Sequence, residues 1–529
     1  LALPDRTRPP ELAALSQYAA VQLFIQRARD VVPAFTVTND NAPAIAEICH
    51  RLDGLPLAIE LAASRIKLLT PQALLNRLTR RLETLTGGAR DLPARQKTLR
   101  NAIGWSYELL GEPARLLFRR LSVFAGSWTY DAAEAVVNAD QALGYDVFDE
   151  LETLINNSLL QSREVDGELR FSLLETIREY AGEKLSASGE ADRIFGAHAA
   201  YFAALAAQAE PALMGPAQGQ WLDRLEMERD NLRAALDWCG AHDVERGIKM
   251  AADLYRFWEM HSHYAEGRQR LQIFIDKSAA PTLARGRALN ALGALSDYQG
   301  DYANARRCFE EALSIYRALG ERRRIAAALN NLAMVSTYQL DFDTARRLYE
   351  DSLAIKRELG DVWPIANTLD NLSQTSMYQH DYAAALNYAE EAVTLFKQTE
   401  DPTGVAISMG NVGDALLHLG RFDEARLALK DSLTRLTDIG EKDGIADALE
   451  RFAALALIED QPSRAATLFA AAAAIRHAIG TVPVPPDRAE LEANIATVKS
   501  GLDVAEFNRA WQTGQTLPVE QAVALALSA

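Results

Sequence analysis

The chain has 529 residues, a mass of 58.1 kDa and a net charge of −17, and 49% of its residues are hydrophobic. At roughly 100–200 residues per domain, this length predicts three or four domains, or fewer if one is a long repeat array. Its apolar runs fall short of the ~20 residues that cross a bilayer, and its first residues lack the pattern of a signal peptide, so we expect no membrane partner. Since the sequence does not begin with Met, it is compatible with a fragment.

The cysteines and the charge distribution indicate the cellular compartment and the kinds of partner that the protein can have. Cys49, Cys239 and Cys308 are far apart, so they predict neither a disulfide framework nor a metal site, and they fit a reducing cytoplasm. Residues 1–120 hold 17 Lys and Arg against 11 Asp and Glu, so the acidic excess lies in the remainder of the chain. Binding to nucleic-acid phosphates needs clustered Lys and Arg side chains, so we expect no nucleic-acid partner for this segment. From the cysteines we expect a cytoplasmic protein.

Residues 1–90 are predicted to form short helices. One amphipathic helix begins at Ala20, and a second runs from Asn41 to Arg51. A third begins at Pro56, since proline suits a first helical turn, where its missing N–H costs nothing. Considered alone, this third segment is a capped helix that starts in the core.

The segments AVQLFIQRAR at 20–29 and EICHRLDGLPLAIELAASR at 47–65 resemble the helical subdomain of NB-ARC ATPases, a group of signal-transduction ATPases with numerous domains. In that family the GLPL segment lies against the bound nucleotide, with its proline at the adenine. The resemblance implies that the same role falls here to Gly54, Leu55, Pro56 and Leu57. ADP or ATP is then a cofactor only if the nucleotide-binding core is supplied.

Two departures from this family bear on catalysis. The phosphate-binding loop G-x-x-x-x-G-K-[ST] and the magnesium-binding strand, which would precede residue 54, are absent from the sequence. Without a Lys and backbone amides to hold phosphates, we expect no hydrolysis and no catalytic residue, so the chain is not predicted to be an enzyme. A Met-His-Asp triplet of many relatives corresponds here to Leu173, Leu174 and Glu175, and Leu174 cannot contact a phosphate.

Because the core that the GLPL segment would clasp is missing, we expect that segment to lie partly exposed beside the next domain, with Arg51 and Arg65 nearby. The alternative is that the segment is simply buried core. Solvent exposure of Pro56 distinguishes the two.

Residues 91–195 resemble the winged-helix domain of bacterial regulators of the same group, from Gln96-Lys97-Thr98-Leu99 to Leu121-Ser122-Val123-Phe124-Ala125-Gly126. Apolar stretches at 159–162 and 169–172 flank Asp166-Gly167, which predicts a hairpin, the wing. DNA binding by this domain is an open alternative. No basic recognition helix stands out, however, and packing within the molecule is the preferred interpretation.

Residues 196–280 are predicted to form a helical linker with a degenerate repeat around Trp258 and Ala265. Residues 281–480 then repeat with a period of 40. Five equivalent positions are alanine, four are aromatic and four of another five are glycine: Ala305, Ala345, Ala385, Ala425 and Ala465; Tyr302, Phe342, Tyr382 and Phe422; Gly320, Gly360, Glu400, Gly440 and Gly480. A constant period of this length predicts a stacked repeat array.

Each repeat is predicted to contain two helices. In the second unit Leu329, Leu332, Ala333 and Ser336 fall on one helical face, and a glycine at position 360 ends the second helix. This pattern resembles a long-helix form of the tetratricopeptide repeat. The resemblance implies a superhelix with a concave groove that binds a protein or peptide.

Asparagines on the first helices are candidate groove residues: Asn290, Asn330, Asn331, Asn371 and Asn411. Side-chain amides donate and accept hydrogen bonds, so they can hold a peptide backbone, but they can equally tie neighbouring helices together. Tyr298, Tyr338 and Tyr378 also recur, and packing between units is the preferred interpretation for them. His261 and His263 cannot share a helix face, and no metal site is predicted.

The predicted fold is mainly all-α: a helical subdomain (1–90), a winged helix with a small β-hairpin (91–195), the linker (196–280), a tetratricopeptide-repeat superhelix (281–480) and a helical cap (481–529). The predicted function is a signalling scaffold, the sensor arm of an NB-ARC-like regulator whose groove binds a protein or peptide. A stand-alone interaction protein and a DNA-binding regulator remain alternatives, and self-association is compatible with each.

Overall fold

The computed structural model describes residues 1–4, 15, 17–52, 54–67, 69–78, 99–108, 110–139, 144, 146–157, 159–215 and 217–528. Gln96, Lys97 and Thr98 of the sequence resemblance lie outside these residues, as do the side chains of Leu57 and Arg65. The chain divides into two compact units, Leu1–Met260 and His261–Ala529. No helix among the described residues is long and apolar enough to cross a membrane.

The first unit begins with short helices, as the sequence predicted: α1 (Ala19–Val31), α2 (Ala42–Arg51), α3 (Pro56–Ala63) and α4 (Pro71–Arg77), with a 3-10 turn at Ser64–Lys67. A proline in the first turn begins each of α2, α3 and α4, where no N–H is needed. The apolar faces meet around Phe24, Ile45 and Ile48, which are fully buried.

A winged helix follows, formed by α5 (Leu99–Glu108), α6 (Glu112–Leu121), β1 (Ser127–Thr129), α7 (Tyr130–Val137), α8 (Val147–Asn156), β2 (Gln161–Val165) and β3 (Glu168–Ser172). The strands form an antiparallel sheet in the order β1-β3-β2. Asp166 and Gly167 have positive φ angles at the turn between β2 and β3, so the predicted wing is confirmed. Phe118, Phe124 and Trp128 form its buried core.

Helices complete the first unit: α9 (Glu175–Ser188), α10 (Ala191–Ala212), α11 (Gln218–Met227), α12 (Arg229–His242), α13 (Val244–Asp253) and α14 (Tyr255–Met260). Among these, α10 packs against α12, α13 and the winged-helix element α7. The winged helix is therefore continuous with a helical region inside the same unit.

The second unit opens with α15 (Tyr264–Lys277), and five helix pairs follow: α16 (Leu283–Tyr298) with α17 (Tyr302–Leu319), α18 (Arg322–Tyr338) with α19 (Phe342–Leu359), α20 (Val362–Tyr378) with α21 (Tyr382–Gln398), α22 (Pro402–His418) with α23 (Phe422–Ile439), and α24 (Lys442–Ile458) with α25 (Pro462–Ile479). Each pair repeats after 40 residues. The prediction of two helices per 40-residue unit is confirmed.

Packing within the repeats follows the predicted faces. Leu329, Leu332, Ala333 and Ser336 are buried, and so is Ala345 on the facing helix. The small alanine lets the paired helices approach, and each first helix also packs against the second helix of the preceding pair. Two apolar clusters, each extending over several neighbouring units, therefore fill the array from Ala333 onward.

Three further helices end the chain: α26 (Pro485–Gly501), α27 (Val504–Thr516) and α28 (Val519–Leu527). Helices α27 and α28 pack against α25, and α27 comes so close that a Cβ at Gly514 would collide with the Thr467 carbonyl. Helix α26 also contacts α25, but it reaches the first helices α18 and α24 as well. It therefore lies along the concave side of the array.

Candidate functional site

Aromatic rings connect successive repeat units at the rim of the concave side. The first residue of a second helix contacts the last residue of the next first helix. The rings are stacked, with centroids 5.5 Å apart for Tyr264–Tyr298, 5.4 Å for Phe342–Tyr378 and 4.6 Å for Tyr382–His418, and tilted at 5.6 Å for Tyr302–Tyr338. The recurring tyrosines thus pack between units, which is the preferred interpretation from the sequence.

Of the candidate asparagines, Asn290 and Asn331 meet each other. The Asn331 amide donates to the Asn290 side-chain oxygen at 3.1 Å, which bridges two neighbouring first helices. The Asn330 oxygen accepts from Lys356 Nζ at 3.2 Å and from Thr368 Oγ1 at 2.9 Å. These bonds tie helices together, as the alternative interpretation of the amides described.

Asn411 and Asn371 lie closer to the middle of the array. Asn411 is buried between units, where it donates to Asp370 Oδ1 at 2.9 Å and accepts from Arg451 Nη2 at 2.8 Å. Asn371 is half-buried. The five amides thus form no single ladder: Asn290, Asn330, Asn331 and Asn411 have bonds between helices, and ligand contact by the set stays a prediction.

A cavity of about 580 Å³ opens on the concave side, between the first helices α20, α22 and α24 and the C-terminal helix α26. Its walls combine aromatic side chains with charged ones, and Asn411 contributes to them. The aromatic residues are Phe342, Tyr378, Tyr382 and Phe469. A cavity of this size can enclose a small ligand or a few residues of a peptide.

Helix α26 closes the cavity through two polar contacts with the array. The Tyr378 hydroxyl donates to Asp487 Oδ1 at 2.5 Å, and His418 Nε2 lies 3.7 Å from Glu490 Oε1. Burial raises the pKa of Asp487 to about 6, against the bond from Tyr378. The bond to Glu490 raises the pKa of His418, so a protonated imidazole is favoured beside that carboxylate.

Two arginines organise the carboxylates of the cavity. Arg451 donates to Asn411 and lies 3.9 Å from Asp414. Arg476 does not line the cavity itself, but it pairs with two lining carboxylates, Asp447 and Glu450. Glu450 Oε1 lies 3.2 Å from Arg476 Nε. Burial nevertheless raises the pKa of Glu450 to about 7. The carboxylates and arginines of the cavity can therefore bind a ligand through charge attraction and hydrogen bonds.

The GLPL segment stands at the start of α3 in the first unit. Gly54 is buried with a positive φ angle of 66°, Leu55 is half-buried and Pro56 is exposed. Partial exposure of the segment was expected, and Leu55 and Pro56 have it, whereas Gly54 is buried. Arg51 pairs with Glu47 at 3.1 Å. Leu57 and Arg65 lie outside the described side chains, and nucleotide contact stays a prediction.

The winged helix places α8 between α7 and the wing, where such domains carry their recognition helix. Its exposed residues include Phe148, Asp149 and Glu152, and the helix Val147–Asn156 contains neither Lys nor Arg. DNA recognition relies on cations facing phosphates, so this helix is electrostatically unsuited to it.

A buried polar network ties the wing to α12. Arg170 Nη2 donates to Glu228 Oε1 at 2.5 Å, while Asn231 donates to the Ser127 carbonyl and accepts from the Ala125 N–H, each at 2.8 Å. Burial raises the pKa of Glu228, and Arg170 and Asn231 counter this. A buried ion pair of this kind is costly to break, at roughly 3–5 kcal/mol for removal of one partner.

Sequence reasoning missed this network and the course of α26 along the array. Pro485-Pro486 signals a helix start, but no local pattern indicates which surface that helix covers. Likewise, Arg170 appears in the sequence as one residue of an exposed hairpin. Their partners are about 60 to 110 residues away in the chain.

Comparison with known families agrees with this architecture. Residues 285–358 and 364–438 match the tetratricopeptide repeat, and residues 110–186 match the winged helix-turn-helix domain. The chain carries both modules. The matches fall on the helix pairs and on the sheet with its preceding helices, so the two resemblances found in the sequence are confirmed for these regions.

Proteins of two mycobacteria are similar to part of the chain. A protein of Mycobacterium tuberculosis (strain ATCC 25618 / H37Rv) and one of Mycobacterium bovis, each named "Putative HTH-type transcriptional regulator", are 39% identical over 288 residues. The match covers 53% of this chain but 32% of those proteins, so the chain spans about a third of their length.

Among solved structures, a Signal Transduction ATPase with Numerous Domains from Pyrococcus horikoshii, which has a tetratricopeptide repeat sensor, aligns with a TM-score of 0.45 and 14% identity. The alignment covers 96% of this chain and 73% of that protein.

Proposed function

We propose that this chain is the sensor arm of a larger transcriptional regulator, and that the concave side of its repeats binds a protein or peptide partner. The cavity between the first helices and α26 is the observation that carries the proposal. Tetratricopeptide arrays and winged helices are typically non-catalytic, and the partly similar mycobacterial proteins are named as transcriptional regulators.

The groups on the concave side support partner binding. First helices contribute Asn290, Asn331 and Asn371, which are half-buried and can exchange hydrogen bonds with a peptide backbone. The aromatic walls of the cavity add apolar area that a partner side chain can cover. Polar groups at fixed positions on a rigid scaffold are what selective binding requires.

A substitution on each side of the array tests this proposal. Asn371→Arg places a bulky cation on the concave side, and Glu390→Arg places the same residue at an exposed position of a second helix. Partners captured by the full chain would be purified and titrated by calorimetry. We expect Asn371→Arg to weaken binding at least tenfold and Glu390→Arg to leave it unchanged. Equal affinities of both variants, with intact circular dichroism, would show that partners bind elsewhere.

We also propose that the GLPL segment and the winged helix relay partner binding to an NB-ARC-like nucleotide-binding core. Support comes from the sequence resemblance at 47–65 and from the exposure of Pro56. Calorimetry with ADP and ATP should detect no binding to this chain alone, and binding once a core domain from a similar regulator is fused before residue 1. If the fused protein binds nucleotide equally well after Pro56→Ala and Leu55→Ala, the segment has no such role and the chain is better described as a stand-alone interaction protein.

DNA binding by the winged helix is the second candidate, and the family match at 110–186 favours it. The acidic surface of α8 opposes it. A mobility-shift titration with mixed-sequence duplex DNA at low salt separates these views: retention of DNA that is lost on Arg163→Glu in the wing would favour DNA binding.

A further inference from the structure

The cavity against α26 carries an unbalanced charge. Five carboxylates line it, namely Asp414, Asp447, Glu450, Asp487 and Glu490, whereas the guanidinium among its lining residues is that of Arg451. His380 and His418 contribute the imidazoles. The carboxylates come from three different helices, so they surround the space and do not merely line one helix face.

The cations present are already committed to neighbouring groups. Arg451 bonds to Asn411 and is flanked by Asp414 and further carboxylates, and Arg476 is shared among Asp443, Asp447 and Glu450. His418 lies between Asp414 and Glu490 at 3.8 and 3.7 Å. Arg451, Arg476 and a protonated His418 are three cations against five lining carboxylates, so the net charge facing the cavity is negative when the carboxylates are ionised.

Apolar walls increase the effect of this charge. Phe342, Tyr378, Met377 and Phe469 line the same space, and their apolar surfaces displace water from the carboxylates. Burial raises the pKa of Asp414, Glu450 and Asp487, because the charged carboxylates lie in poorly solvated surroundings. A cation that entered would gain charge attraction and a stacking surface together.

Building on the proposed function, we propose that this cavity binds the cationic side chain of a peptide partner, an Arg or Lys flanked by apolar residues. The negative carboxylates take the cation, and the aromatic walls take the neighbouring residues. A volume of about 580 Å³ accommodates one long side chain with part of the adjoining backbone. Helix α26 supplies Asp487 and Glu490, so the site is complete only when this helix lies on the array.

Five fluorescent pentapeptide libraries test the inference. Each is acetylated and amidated, has Ala, Leu, Phe and Asn at random in the outer positions, and carries Arg, Lys, citrulline, norleucine or Glu at the centre. Fluorescence anisotropy with the full chain measures affinity. We expect the Arg and Lys libraries to bind at least tenfold more tightly than the citrulline and norleucine libraries, and the Glu library to bind most weakly.

Two variants and a control locate the effect. Asp487→Asn with Glu490→Gln should reduce the preference for a cation at least tenfold, and Asp447→Asn, which leaves the α26 contacts in place, should reduce it several-fold. Glu310→Gln with Glu390→Gln removes the same charge from exposed positions on second helices and should change nothing. Equal affinity for Arg and citrulline, no binding by any library, or an equal loss in the control would overturn the inference.

These outcomes separate the inference from the proposed function. If a partner's binding depends on Asn371 while the cavity variants have no effect, the groove binds partners but not through a cation in this cavity. If the Arg library binds at the cavity while Asn371→Arg leaves a captured partner unaffected, the cation site stands and the proposed groove function fails.

Discussion

At the scale of single residues, one position in each turn of the repeat array has a left-handed backbone conformation. This position is glycine in some repeats and another residue in others. The turn between paired helices has positive φ at Gly300, Leu340, His380, Gly420 and Asp460, and the end of each second helix has it at Gly320, Gly360, Glu400, Gly440 and Gly480. Glycine adopts this conformation without strain, whereas a residue with a Cβ pays about 1–2 kcal/mol. The packing of the repeats therefore imposes the left-handed conformation even on residues for which it is strained.

Replacing the non-glycine at one of these helix ends should stabilise the protein. Glu400→Gly removes the left-handed strain, and after the added entropy of a glycine in the unfolded chain we expect a gain of about 0.5–1 kcal/mol. Thermal unfolding followed by circular dichroism measures it. Glu400→Gln keeps the Cβ and should give no gain, and Gly360→Ala should lower the midpoint. A lower midpoint for Glu400→Gly would contradict the strain argument.

A residue-scale prediction about pH concerns Glu190. Burial acts to raise its pKa, but hydrogen bonds from Arg120 at 2.6 Å and Arg119 at 3.1 Å outweigh this and lower the pKa to about 2. A carboxyl whose pKa is lower when folded stabilises the protein above its ordinary pKa of about 4.3, and this contribution is lost as the pH falls toward 2.

Between pH 5 and pH 3, the unfolding midpoint of the wild type should therefore fall more steeply than that of Glu190→Gln. Glu424→Gln provides the comparison, since Glu424 and its partner Arg421 are both exposed and such pairs contribute little. Parallel curves for the wild type and Glu190→Gln would rule out the assigned ion pair.

At the scale of elements, α26 is held on the concave side by contacts that could not be predicted from the sequence of the helix alone. Its neighbours α27 and α28 pack against α25, where they cover the end of the array. Helix α26 contacts α25 too, and in addition it bonds to Tyr378 and approaches His418, both at the ends of first helices. One connected segment thus both covers the last repeat and forms a wall of the cavity.

Weakening these two contacts should loosen α26 selectively. In Tyr378→Phe combined with His418→Ala, we expect faster amide hydrogen exchange at 485–501 than in the wild type, because a hydrogen bond and a charge contact are lost at once. Exchange within α21 should not change. Tyr298→Phe, which keeps the ring stacked on Tyr264, serves as the control. Unchanged protection of 485–501 in the double variant would mean that apolar packing alone holds the helix.

At the scale of the whole molecule, the chain consists of two compact units, and each has its own core. In the second unit each repeat contacts mainly its neighbours, so its stability is close to a sum of repeat and interface contributions. Helix α15 covers the first side of α16, and α27 covers the last helix pair. The second unit therefore contains helices that cover the apolar surface at both ends of the repeat array.

Residues 261–529 expressed alone should fold into a helical protein with a cooperative thermal transition. A fragment of residues 281–529 lacks α15 and the stack of Tyr264 on Tyr298, so it should unfold at a lower temperature. Circular dichroism and size-exclusion chromatography measure both. Aggregation or a non-cooperative transition of the 261–529 fragment would show that the array depends on the first unit.

The sequence by itself determined the repeat, its helix pairs, the winged helix and the wing, because each has a local signature: a 40-residue register of Ala, aromatic and Gly positions, and the turn pair Asp166-Gly167 between two short strands. It also predicted partial exposure of the GLPL segment, because the motifs of the family's nucleotide-binding core are absent from this sequence. Tertiary structure alone decided where α26 lies, that Asn411 bonds to Asp370 and Arg451, and that Arg170 pairs with Glu228. These contacts join residues far apart in the chain, and their energies depend on burial and on partners that no local pattern encodes.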